Sequence, residues 1–207
     1  MVEKRGENLL IIFTKNPVPG KVKTRLARDI GNQKALEVFL ELLANTRMAT
    51  ESTKFEKAVF YARQIRQKDL WEAHEYQKFL QQGKNIGERM RNAIKSGLML
   101  GYKKVCLIGS DIYGLNRTIL ERAFSELNQS DLVYGPANDG GYYLVGTKND
   151  HPELFDEIPW SSDQTLSETL VKADSSKLKC SFLPELIDVD SLEDLQQTKL
   201  LNSFNEQ

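Results

Sequence analysis

Residues 104–111 read KVCLIGSD: a run of apolar and β-branched residues that halts at Ser110 and the carboxylate Asp111. A short, continuously apolar run is the pattern of a strand covered on both faces, and such strands belong to parallel sheets. Comparable runs recur along the chain. They predict strands at Leu9–Thr14, Lys57–Ala62, Lys78–Gln81, Asp131–Tyr134, Gly141–Thr147 and Lys179–Leu183. Between them lie stretches of helical period. From Asn85 to Leu100, Ile86, Met90, Ala93, Ile94, Gly97 and Leu98 share one face. Leu36, Phe39, Leu40 and Leu43 mark a helix ending near Thr50, and Asn116–Leu127 and Asp163–Val171 supply two more. Ser191, three residues before Asp194, starts a last one. The polar interval from Ala62 to Gln77, which holds Trp71, is expected to carry a short helix. Strands alternating with helices make an α/β domain on a largely parallel sheet.

The chain has 207 residues, 40% of them hydrophobic. That suffices for one sizeable core, and the absence of repeats and linkers predicts one domain over residues 1–207. Lys and Arg number 28 against 29 Asp and Glu, a net charge of -1, so no general positive field exists to hold a nucleic acid. The longest apolar runs fall far short of a membrane span, and the first residues read as a strand rather than an export signal. Two cysteines form no disulfide framework, which points to the cytoplasm.

Ligands of open α/β sheets bind beyond the carboxyl ends of the strands. After the first predicted strand comes KNPVPGKVKTRLA (15–27), where Lys15, Lys21, Lys23 and Arg25 surround Pro17, Pro19 and Gly20. This is either a solvated basic loop or a loop that neutralises a diphosphate, Gly20 letting the backbone approach. It matches neither the P-loop nor the GxGxxG pattern. Asp111 is either a turn cap or a ligand of Mg²⁺ or Mn²⁺, which takes one or two protein carboxylates together with substrate phosphates. Asp139-Gly140-Gly141-Tyr142 reads locally as a hairpin turn, with the glycine pair also permitting a ligand close to the chain. Tyr142 and Tyr143 then point to opposite faces. Asp188 and Asp190, two apart, face together in an extended segment and form either a shared metal site or a helix cap. Arg89 sits on a helix where it either clamps phosphate or is solvated.

In order, KNPVPGKVKTRLA, NIGERM, LIGSD, GPANDGGYYLVG, LFDEIPWSSDQTLSETL and DVDSLEDL resemble the bacterial glycosyltransferase-A-like family of radical-SAM/selenodomain-associated transferases, over about Leu9–Leu195. The resemblance implies the nucleotide-diphospho-sugar transferase fold, Rossmann-like and GT-A in type: a three-layer α/β/α sandwich on a mostly parallel mixed sheet. It implies nucleotide contacts from Lys15, Gly20, Lys23, Thr24, Arg25, Arg89 and Asp111, and an acceptor side at Gly140, Gly141 and Tyr142. Asp111 and Asp190 become metal carboxylates, with Asp139 and Lys23 in catalysis. One departure stands out: the family reads Ser-Asp-Cys-Pro-x-Leu where this chain has Ser110-Asp111-Ile112-Tyr113-Gly114-Leu115. The implied activity is glycosyl transfer from a nucleotide sugar to a small acceptor. Nucleotidyl transfer from a nucleoside triphosphate, or nucleotide binding without turnover, are the alternatives.

Overall fold

The computed structural model describes residues 6–200. In chain order the elements are β1 (Asn8–Thr14), α1 (Leu26–Ile30), α2 (Asn32–Glu51), β2 (Glu56–Tyr61), β3 (Tyr76–Leu80), α3 (Ile86–Met99), β4 (Lys104–Gly109) and β5 (Ile112–Tyr113). They continue with α4 (Arg117–Glu126), β6 (Leu132–Pro136), β7 (Tyr142–Thr147), a 3-10 turn at Pro152–Leu154, α5 (Thr165–Ser175), β8 (Cys180–Phe182), β9 (Ile187–Asp188) and α6 (Leu192–Gln196). Seven strands form one mixed sheet in the order β3-β2-β1-β4-β7-β6-β8. β3, β2, β1 and β4 run parallel, β7 is antiparallel to β4 and to β6, and β8 is parallel to β6.

The apolar runs explain the layering. Leu10, Ile11 and Ile12 of β1 are each 0% exposed. Successive residues face opposite sides, so Leu10 and Ile12 meet Phe39 and Leu43 of α2 and Leu120 and Phe124 of α4. Leu9, Ile11 and Phe13 meet Met90 and Ile94 of α3 and Ala173 of α5. Truncating one such side chain to Ala costs about 2–5 kcal/mol. Helix starts follow the sequence too. Asn85 accepts the Glu88 N–H, Asn116 accepts that of Ile119, and Ser191 and Asp194 form a reciprocal capping box on α6. Among the described residues no helix is long and apolar enough to cross a membrane.

One expectation is corrected, and one element is added. No helix forms between Ala62 and Glu75. Asp69 instead gathers three donors there: Tyr61 Oη at 2.5 Å, the Trp71 N–H at 3.0 Å and Lys78 Nζ at 2.8 Å. A short acidic side chain that binds nearby donors competes with helical bonding, so the segment becomes an ordered loop. In addition, β5 and β9 form a separate antiparallel ribbon, Ile112 opposite Asp188 and Tyr113 opposite Ile187. Two-residue strands carry too little periodicity to be read from sequence. The hairpin at Ala137–Gly141 forms as expected, between β6 and β7.

Candidate active site

β1 leads to β2 on one side of the sheet, while β4 lies on its other side, so the strand order reverses between β1 and β4. The crevice beyond their carboxyl ends is where open α/β sheets take ligands. Ser110 Oγ donates to Thr14 Oγ1 across it at 3.1 Å, and Thr46 of α2 donates to the Ser110 carbonyl at 2.9 Å. Asp111, one residue on, therefore leaves a fixed strand end.

Lys23 reaches this point from the loop after β1. Its side chain is 3% exposed, and Nζ lies 2.7 Å from Asp111 Oδ2 and 3.0 Å from Asp188 Oδ1. The loop is shaped for that reach: Gly20 has φ +70 and Lys23 itself φ +44, a conformation rare for a non-glycine residue. Burial opposes the ammonium, but Asp111 and Asp188 outweigh it and raise the Lys23 pKa. Burial likewise raises Asp111, yet the Lys23 charge, with Lys15 behind it, holds this carboxyl below the usual range. For Asp188 burial prevails over Lys23, and with the neighbouring Asp111 and Asp139 charges it pushes the carboxyl up to about 6.

The other expected residues fall into three groups. Arg25 pairs with Asp190 at 3.2 Å on the exposed rim, and Lys15 and Thr24 are exposed nearby in sequence. Asp188 and Asp190 do not share a face. The Asp190 N–H turns back onto the Asp188 carbonyl at 3.0 Å, sending the two carboxylates to different cations. It is thus Asp188 that the fold sets beside Asp111. The hairpin tip also closes on the cluster. Asn138 accepts the Asp188 N–H and donates to Asp194, both at 2.9 Å, which sets Asp139 close enough to act on the Asp188 charge. Asp139 is exposed, and its Oδ1 accepts the Gly141 N–H. Gly140 has φ +83, and a Cβ there would lie 2.1 Å from the Asp163 carbonyl oxygen.

Three residues stand apart. Arg89 Nε donates to the Gly83 carbonyl at 3.1 Å, so this group serves the turn before α3. Tyr142 packs edge-on against Tyr134 and Trp160, and Tyr143 is buried with its hydroxyl on the Pro184 carbonyl, so both rings pack. Sequence reasoning did not single out Asn138, and it weighed Asp188 only as a partner of Asp190. The aspartate spacing was the available signal; the β5–β9 pairing that sends Asp188 to Asp111 was not. Ile112 and Tyr113, the departure from the family pattern, are the residues that make this pairing.

Asp111 and Asp188 are the residues that could hold a hard divalent ion. Both converge on the Lys23 ammonium, and the trio keeps a formal charge of about -1. Among the described residues no three His, Cys, Asp or Glu side chains gather into a metal-holding group. Two carboxylates leave most coordination positions to water and phosphate oxygens, as Mg²⁺ prefers.

A mixed, mostly parallel sheet of this order, with charged side chains meeting at its switch point, defines a protein of the nucleotide-diphospho-sugar transferase fold. The chain belongs to the family described as "Uncharacterized protein conserved in bacteria (DUF2064)", whose model matches residues 45–162. A candidate nucleotide-diphospho-sugar transferase from Desulfovibrio desulfuricans G20 is similar at 32% identity and TM-score 0.86, over 91% of this chain and 84% of the other. The inositol-1-phosphate CTP transferase from T. maritima shares the fold at 16% identity and TM-score 0.56, over 97% and 96%. A cytidylyltransferase from Leptospira borgpetersenii does so at 12% and 0.58, over 96% and 87%. No curated protein matches the chain.

Proposed function

We propose that the chain transfers a glycosyl group from a nucleotide-diphospho-sugar donor to a small-molecule acceptor, with Mg²⁺ or Mn²⁺ as cofactor. The observation that carries this reading is the buried Lys23 ammonium shared by Asp111 and Asp188 at the β1/β4 switch point. Asp111 and Asp188 hold the ion, which when bound neutralises charge on the diphosphate. Lys15 and Arg25, at the exposed rim, give charge-assisted hydrogen bonds to phosphate oxygens. Lys23 holds the two carboxylates together and opposes their repulsion. Asp139 accepts the proton of the acceptor hydroxyl as its oxygen bonds to the sugar's anomeric carbon. The bond from that carbon to the diphosphate breaks, and the nucleoside diphosphate leaves with the electron pair. The relative from D. desulfuricans supports a nucleotide-sugar donor. So does the loop after β1: with two prolines followed by a single glycine, it gives fewer free backbone donors than a glycine-rich triphosphate cradle.

Phosphorus NMR with mixed nucleotide sugars and nucleoside triphosphates tests the reading. Release of a nucleoside diphosphate is expected, and release of pyrophosphate would move the assignment to nucleotidyl transfer. At a nucleotide concentration 100 times Kd, binding adds about 2.7 kcal/mol, raising Tm by roughly 5–10 °C. Asp111→Asn is expected to abolish the metal-dependent part of this shift. An undiminished shift would place the ion elsewhere.

A further inference from the structure

On the β2 side of Lys15 the loops after β1 and β2 enclose two adjoining hollows of about 260 and 180 Å³, both lined by Lys15. The larger adds Arg66 and Lys68, and the smaller Lys21 and Arg63. Among the described residues none of these five cations forms an ion pair. The acid present, Asp69, is committed to Tyr61, Trp71 and Lys78, and the 7% exposed Lys78 balances its charge. The hollow is therefore net positive over a floor of Leu40, Leu43, Tyr61 and Trp71.

Its walls are also fixed. Asn16, buried at the end of β1, donates to the Gln64 carbonyl at 2.8 Å and accepts the Gln64 N–H at 3.2 Å, joining the two loops. Arg47 of α2 donates to the Leu70 carbonyl at 3.3 Å, and Lys78 to that of Arg66 at 2.7 Å. A loop of this length without helix or strand, tied down by several tertiary polar bonds, is characteristic of a binding loop.

From these features we infer a second anion site that takes a phosphate monoester with an apolar or aromatic body. Three cations around the larger hollow, Lys15, Arg66 and Lys68, match a dianionic phosphoryl group better than a single carboxylate, and Arg66 offers it a planar fork of donors. Aromatic and aliphatic side chains beneath desolvate the rest of the molecule, as in other small-molecule pockets. The size of the hollow, in a chain with net charge -1, suits a small molecule rather than a polyanion. The anion binding does not rest on the transferase reading above.

Titration calorimetry with phenyl phosphate tests the site, alongside inorganic phosphate and individual nucleoside diphosphates with Mg²⁺. Among the described residues neither the Arg66 guanidinium nor the Lys68 ammonium makes a hydrogen bond or ion pair, so the double variant Arg66→Ala/Lys68→Ala is expected to fold as the wild type does. It should bind phenyl phosphate about tenfold or more weakly and keep its nucleoside diphosphate affinity within about twofold. Lys68→Glu is the second variant, with the same expectation. Phenyl phosphate should bind more tightly than inorganic phosphate and without competition from the nucleotide. Absent binding, binding unaffected in both variants, parity with inorganic phosphate, or displacement by the nucleoside diphosphate would each overturn the site. If phenyl phosphate behaves as expected and no nucleotide binds, the site stands and the donor reading falls.

Discussion

Replacing Lys23 by Met keeps most of the side-chain volume and removes the charge that two carboxylates share. At an effective dielectric of about 20, contacts of 2.7 and 3.0 Å correspond to roughly 5–6 kcal/mol each before opposing terms. Burying the ammonium and the Asp111–Asp188 repulsion cancel much of this, and losing one partner of a buried pair typically costs about 3–5 kcal/mol. The carboxylate side chains keep 21% and 32% exposure, so solvent screening reduces the expected loss to about 2–4 kcal/mol at pH 7.5. That is roughly a 5–15 °C fall in Tm. The pH dependence is the sharper test. In the wild type the raised Lys23 pKa contributes stability throughout the neutral and acid range and loses it only as pH rises through the folded value. In the variant both carboxylates lose their counter-charge, so their folded pKa values rise above the unfolded ones and their ionised forms are destabilising. Asp188, already raised to about 6 with Lys23 beside it, titrates higher still in the variant, so acidification neutralises it early and relieves that cost. Urea titrations from pH 8 to pH 4.5 should therefore show the difference between the proteins shrinking with acidity. Equal stability at pH 7.5, or a difference that does not narrow, would refute the shared-ammonium argument.

Gly140→Ala places a methyl against the Asp163 carbonyl at a backbone angle suited to glycine, and urea titration should show a loss of about 3 kcal/mol. Gly87→Ala would bring a Cβ to 2.4 Å from the Trp160 ring at the start of α3, so tryptophan emission should shift with the native protein still folded. Asp69→Asn removes the counter-charge of the 7% exposed Lys78 and should cost about 1–3 kcal/mol. It should also open the 62–75 loop to limited proteolysis, and unchanged digestion would argue against Asp69 as the loop's organiser.

Much of this protein is legible in its amino-acid order, because the signals are local. Each of the seven strands of the main sheet overlaps a stretch that the sequence marks as a strand, and Asn85, Asn116 and Ser191 mark helix starts by the chemistry of their own side chains. Asp111 is visible as the carboxylate at which a buried strand stops. The partnerships at the site depend on contacts between residues far apart in the chain. Lys23 and Asp188 are separated by 165 residues, and whether Asp188 or Asp190 stands beside Asp111 turns on one backbone reversal and a two-residue ribbon. The loop at 62–75 lost its expected helix for a similar reason, since Lys78 and Tyr61 come to Asp69 only once β2 and β3 are paired. Sequence alone determined the layers and the sheet edge at which chemistry sits, because burial periodicity and capping are short-range. Tertiary structure alone decided which charges neutralise one another and which cations stay unpaired, because Coulombic partners are chosen by distance in space.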